Sequence, residues 1–314
     1  MLNEGKNGFW RSLWQRSTVL DRLTVGYILG FAIALVLLGR EDKDWMVLFL
    51  VHVGLLAVTT AIIHFWHDQT TGVRGFIRQL YPGLLYTFFY REMQAASFWV
   101  FPRFLDAELV AFERAVFGAD PNVWIVPAQS AWLNEIMMAG YFSYYLLIPV
   151  VALPLFFKRR LAEVRGLLTA TTLAFVISYV GFVLFPVEGP RHFLASQFPA
   201  PLSGGFFVPL VTWIIGRVAI HGGCMPSSHV AVALVVLVWA WKTMPNLGRI
   251  LTPFVAVLCV ATVWGRFHYV TDIMVGVIVG VVALVLSPTY DPEPAHVMNN
   301  LPHREPQVQT AGTR

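Results

Sequence analysis

Eight stretches of this chain are apolar over the length of a membrane-crossing helix or close to it, and this constrains the fold more than any other feature. A crossing helix needs about 20 mostly apolar residues. Clear candidates run over 23–38, 45–66, 132–157 and 167–185. Three more lie at 229–241, 250–267 and 273–286, the first and last short unless their polar flanks enter the interface. The eighth, 80–101, is aromatic-rich but carries Arg91 and Glu92. The expected fold is all-α, a polytopic membrane helix bundle of six to eight transmembrane helices with an active site at one membrane face. Charge agrees with this: Asp, Glu, Lys and Arg make up 13% of the chain, against about 25% in an ordinary soluble domain. So little charge excludes a conventional cytosolic enzyme, a disordered chain and a coiled coil.

Three segments follow. Residues 1–22, with Lys6, Arg11, Arg16, Arg22, Trp10 and Trp14, read as an amphipathic interfacial segment. No small-residue cleavage site follows a short apolar run there, so the segment is expected to be retained. Residues 23–287 form the membrane-embedded catalytic bundle, and 288–314 a disordered polar tail. Two polar connections, 102–131 and the Pro- and Gly-punctuated 186–228, interrupt the bundle. The net charge of +4 comes from scattered residues, so nucleic acid is not an expected partner. Cys224 and Cys259 give no disulfide framework and no Cys-rich metal site. Short basic loops at Lys158-Arg159-Arg160 with Arg165, and at Lys242 and Arg249, join the basic N-terminus on the cytoplasmic side. Eight crossings then place both termini inside and the 186–228 connection on the opposite face.

Polar residues gather on that opposite face. The segments are Gly189-Pro190-Arg191-His192, Gly222-Gly223-Cys224-Met225-Pro226-Ser227-Ser228-His229 and Arg266-Phe267-His268-Tyr269-Val270-Thr271-Asp272. His229 is expected to open one helix and His268 to close the next, with a tight turn over 245–248 making an antiparallel pair. Asp272, four residues after His268, shares its helical face and can hold one ring nitrogen protonated, leaving the other as nucleophile or base. Ser227 and Ser228 read as a helix start whose backbone N–H groups form an anion site, with Arg191 and Arg266 as phosphate-binding cations. Taken singly, each feature has a plainer reading. Pro226-Ser227-Ser228 makes an ordinary helix start, Arg191 a lipid head-group anchor, and His52, His64 and His67 satisfied polar residues. Arg91 and Glu92 are adjacent, so each needs its own partner. The convergence of two His, an Asp and Arg on one face favours a site.

Pro226-Ser227-Ser228-His229, followed by His268-x-x-x-Asp272, resembles the second and third signature motifs of the type 2 phosphatidic acid phosphatase superfamily, and Gly189-Pro190-Arg191 its phosphate-binding first motif. Phe267 to Asp272, with Phe117-Gly118-Ala119-Asp120-Pro121 and Tyr141-Phe142-Ser143-Tyr144-Tyr145, is similar to the inositol phosphorylceramide synthase-like branch. The resemblance implies that His268 attacks phosphorus to form a phosphohistidine, that Asp272 orients it, and that His229 protonates the leaving oxygen. It implies no metal and no cofactor. The sequence departs from the pattern at Thr262, where the family has an Arg that Arg266 would have to replace, at Ser228 in place of Gly, and at Val183, Leu184 and Phe185, where an upstream Lys is absent.

The expected function is transfer of a phosphoryl or phospho-head-group from a lipid phosphoester, leaning to a lipid phosphotransferase, with a lipid phosphate phosphatase as the alternative. The partners expected are that substrate and membrane lipids. Two other chemistries remain open: a metal held by the two His and the carboxylate, and a transporter with His229, His268 and Asp272 as a proton relay.

Overall fold

The structure, a computed structural model, describes residues 4–288. The chain runs through α1 (Glu4–Arg16), α2 (Val19–Leu38), α3 (Trp45–Trp66), α4 (Gly72–Ala96), α5 (Asp106–Phe117), α6 (Pro121–Trp124), α7 (Ala131–Phe157) and α8 (Leu161–Leu184). It continues through α9 (Pro190–Phe193), α10 (Phe207–Val218), α11 (Ser228–Thr243), α12 (Pro245–Trp264) and α13 (Val270–Leu286). Among the described residues no β-strand occurs, and the one isolated β-bridge joins Val187 to Gly223. The fold is an all-α bundle. Five helices, α2, α3, α7, α8 and α12, are long and apolar enough to cross a membrane, while α11 and α13 are apolar but shorter. With α4 they match the eight apolar stretches one for one. The tail expected over 288–314 lies outside the described residues from 289 onward.

Helix ends depart from the hydropathy boundaries where charge is buried in pairs. α2 starts at Val19 rather than residue 23, because Thr18 and Asp21 form a capping box that ends the N-terminal segment at a break between α1 and α2. α4 starts at Gly72 rather than residue 80, since Arg78 is buried against Asp21 and costs the helix nothing in lipid contact. α8 starts at Leu161, with Arg165 buried and donating to Gln79 Oε1 at 3.1 Å. The tight turn expected over 245–248 is a single residue, Met244, because Pro245 begins α12 at a position where a missing N–H goes unneeded.

On α3 the packing is inverted relative to a helix of a water-soluble bundle. On α3 the buried residues are His52, Thr59 and Ile63, while Val47, Leu50, Val58 and Phe65 face outward. Lipid solvates that face, so polar groups turn inward to find partners. α11 is the central rod: Val230 to Ala233, Val235, Val236, Trp239 and Ala240 are all buried, as expected for a helix apolar all round. α13 approaches it closely through Gly276 and Gly280. A Cβ on Gly276 would come within 2.6 Å of the Ser227 carbonyl oxygen, and one on Gly280 within 2.9 Å of that of Ala231. This small-residue seam, spaced i,i+4, brings the starts of α11 and α13 together.

The two ends of the bundle differ. At one end Arg160 donates to Thr243 O (2.8 Å) and Arg159 to Thr70 O (3.3 Å), so the basic 158–160 loop, the α11–α12 turn and the start of α4 lie together. The starts of α11 and α13 and the ends of α8 and α12 lie at the other, where α5, α6, α9 and α10 cover the bundle.

Candidate active site

The α12–α13 turn places His268. α12 stops at Trp264, and Gly265 and Arg266 reverse the chain, Arg266 with a left-handed φ of 63°. The amides of Phe267 and His268 both donate to Thr262 O, at 3.0 and 3.1 Å. Asn122 of α6 ties the same turn down, donating to the carbonyls of His268 (3.0 Å) and Val263 (3.2 Å). His268 therefore does not close a helix as expected. It also shares no helical face with Asp272, because α13 begins only at Val270. Asp272 is the third residue of α13 and folds back over the start, accepting Tyr269 N–H at 2.9 Å. The four-residue spacing works across a helix start: extended backbone at Tyr269 turns His268 onto the carboxylate.

His268 Nδ1 lies 3.3 Å from Asp272 Oδ2, and His268 Nε2 lies 3.3 Å from His229 Nδ1. His229 Nε2 lies 2.9 Å from the Tyr141 hydroxyl. The three sequence-predicted residues thus meet in one chain of contacts, ended by a tyrosine. Ser227 caps α11, its hydroxyl accepting from Val230 N at 3.4 Å and its amide donating to Asp272 O at 3.0 Å. Ser228 is buried as the first residue of the helix.

The two arginines part company. Gly189, with φ of 103°, lies against Cys224 and the Phe267 carbonyl, which brings the Gly189-Pro190-Arg191 segment to the His268 turn. Among the described residues Arg191 has no hydrogen-bond or ion-pair partner, and it is half-buried. Arg266 instead donates to Ala200 O and Gln129 Oε1, both at 2.8 Å, and stacks over Phe198. It fastens the 186–228 connection to the turn and bonds to neither histidine. Burial lowers its guanidinium pKa.

Four residues at the site were given no catalytic role from the sequence. The Cys224 thiol donates to Asp272 Oδ2 at 2.9 Å and lies 3.5 Å from His268 Nδ1. Burial, with Asp272 next, pushes that thiol pKa well up. Asp106 at the start of α5 accepts the amides of Glu188 and Gly189, each at 2.8 Å, and the Tyr269 hydroxyl at 2.9 Å. It ties the Arg191 segment to the His268 turn. Burial raises its pKa, and those three donors oppose the shift. Glu113 caps α13, accepting Thr271 N at 2.7 Å and its hydroxyl at 2.9 Å. Seven residues apart, Asp106 and Glu113 share one face of α5, but Glu108 and Arg114 on the same helix keep that spacing from standing out in the sequence. Tyr141 entered the sequence analysis only as part of the Tyr141-Phe142-Ser143-Tyr144-Tyr145 run, which gave it no chemical role.

A metal held by the two His and Asp272 was one expectation. Among the described residues, the donors that close on one point, within 4.8 Å of one another, are Cys224, His268 and Asp272, without His229. A protonated thiol donating to the carboxylate already fills that triangle with hydrogen bonds.

A family model described as the PAP2 superfamily matches residues 107–286, more than half of the chain. The match contains Arg191, His229, His268 and Asp272 and leaves α1 to α4 outside. No curated protein and no solved structure matches the chain.

Proposed function

The chain belongs to the PAP2 superfamily, and from that premise we propose that it is an integral membrane enzyme that transfers a phosphoryl or phospho-head-group from a lipid phosphoester through a phosphohistidine on His268. The observation that carries this reading is the Asp272–His268–His229 chain, with both histidine contacts at 3.3 Å. Asp272 holds His268 Nδ1–H, which leaves the Nε2 lone pair as nucleophile. Nε2 attacks phosphorus, the bond to the leaving oxygen breaks, and that oxygen takes the Nδ1 proton of His229, which passes from imidazolium to the neutral ring. Water or an alcohol then attacks the phosphohistidine, gives its proton back to His229 Nδ1, and frees His268. Arg191, without a partner among the described residues, and the amides at the start of α11 are suited to charge on the phosphoryl oxygens.

The transferase reading, with ceramide or another lipid alcohol as acceptor, rests on the motifs similar to the inositol phosphorylceramide synthase-like branch. Water as acceptor makes the same site a phosphatase. The basic 158–160 loop at the far end of the bundle supports cytoplasmic termini and a site on the non-cytoplasmic face.

Trapping tests the reading. Purified protein given a labelled lipid phosphoester should hold acid-labile phosphate on histidine, and His268→Ala should hold none and form no product. Wild-type rates in His268→Ala overturn the reading. Adding an alcohol acceptor separates transferase from phosphatase by product, and turnover that survives chelators counts against a metal. In sealed vesicles, uptake lost in His268→Ala without any phosphoester cleavage would favour the proton-relay transporter.

A further inference from the structure

We infer that Tyr141 is a positioning residue that fixes which nitrogen of His229 exchanges the proton. This rests on the phosphohistidine reading above. Tyr141 is buried in α7, with its hydroxyl 2.9 Å from His229 Nε2. Its ring packs on the imidazole at 5.2 Å between centroids, and Tyr144 packs there at 4.4 Å. Among the described residues the hydroxyl is the one polar side-chain partner that Nε2 has, while Nδ1 points at His268 Nε2, 3.3 Å away.

Proton bookkeeping along the chain makes the phenol useful. With Asp272 ionised, its contact with His268 holds the proton on His268 Nδ1, so His268 Nε2 is an acceptor and the facing His229 Nδ1 must carry hydrogen. If His229 is an imidazolium, Nε2–H donates to the Tyr141 oxygen. When Nδ1 has given its proton to the leaving oxygen, the neutral ring keeps hydrogen on Nε2, which still donates to the Tyr141 oxygen. The Tyr141 oxygen accepts from Nε2–H before and after the transfer, so Nε2 keeps its proton throughout. All proton traffic is then left to Nδ1, the nitrogen that faces His268 Nε2. Without the hydroxyl, Nε2 is buried without a partner, and the ring loses the contact that selects its orientation.

Leaving-group dependence tests this, because a general acid matters in proportion to how badly the departing oxygen needs a proton. In Tyr141→Phe the ring packing remains and only the hydroxyl goes. With phosphatidic acid, whose leaving group is an alkoxide, kcat/KM should fall about 10- to 100-fold with KM nearly constant. With p-nitrophenyl phosphate, whose phenolate departs unprotonated, the fall should be no more than about threefold. His229→Ala should show the same selectivity, and the double variant should be no worse than His229→Ala alone. Equal losses of Tyr141→Phe on both esters, or wild-type values on both, overturn the inference. Activity of His268→Ala on p-nitrophenyl phosphate overturns instead the phosphohistidine reading beneath it.

Discussion

Charge is buried in two regions of this molecule, and they are finished differently. Among α2, α3, α4 and α8, Asp21 accepts from Thr18 N and Oγ1, both guanidinium nitrogens of Arg78 (2.9 and 2.6 Å) and the Tyr81 hydroxyl (2.8 Å). Nearby, Glu92 accepts from Tyr27 (2.6 Å) and faces His52 Nε2 at 3.2 Å, off the hydrogen-bond line. At the other end, Asp272 Oδ2 takes three contacts while Oδ1 is buried without any. There the imidazoles meet at 3.3 Å and Arg191 stands unpaired among the described residues. The Asp21 cluster is closed: every strong acceptor meets a cation or a donor, as buried charge in lipid demands. The His268 cluster is left open toward the group it would have to bind. Buried charge alone therefore does not mark a site. Nor does a single unbonded atom, since His52 Nε2 and Glu92 Oε2 also lack a hydrogen bond; two imidazoles in contact beside a carboxylate do.

Substitutions break or sharpen that contrast. The largest effect should come from Asp272→Asn in the open cluster. Losing the carboxylate removes what holds His268 in its nucleophilic tautomer, and kcat should fall about 10²- to 10⁴-fold with the melting temperature little changed. A comparable loss of stability instead would class Asp272 with Asp21 as a structural charge. Arg78→Ala should do the reverse, since it strands Asp21 in the closed cluster. Unfolding in detergent should cost about 3–5 kcal/mol less, while activity per folded molecule persists. If Arg78→Ala proves as stable as wild type, the cluster is not the clamp described here. The smallest effect concerns Cys224, which sits within the open cluster yet is held as a donor. In a Cys259→Ser background its thiol should resist maleimide at neutral pH and react only after unfolding or well above the usual thiol range, because burial and Asp272 raise its pKa. Fast labelling at neutral pH would mean that Cys224 is a thiolate and the triangle with His268 and Asp272 is free for a metal.

The same contrast explains what hydropathy read and missed. It found α2, α3, α7, α8 and α12 because a lipid-facing helix must be apolar along its length. It clipped α4 and α8, whose Arg78 and Arg165 turn inward to partners that hydropathy does not register. At the site, His229, His268 and Asp272 were legible as motif residues, and Ser227 as a helix cap. Asp106 and Glu113 look like ordinary acids of an interfacial helix until α5 is seen with its carboxylates turned inward onto the 186–228 connection and α13. Arg266 looked like a phosphate cation, and the turn aims it at Ala200 and Gln129 instead.

The sequence by itself determined the solvent, the number of apolar rods and the residue types able to do chemistry. Those depend on local composition and on spacings of a few residues. The tertiary structure alone decided the partnerships: Asp21 with Arg78 across 57 positions, Tyr141 with His229 across 88, and Tyr269 with Asp106 across 163. Such pairs follow from how each helix is rotated and how closely α13 can approach α11 at Gly276 and Gly280. Neither rotation nor approach is encoded in a hydropathy period. Both emerge only when all the rods pack against one another and each buried polar group must find its match.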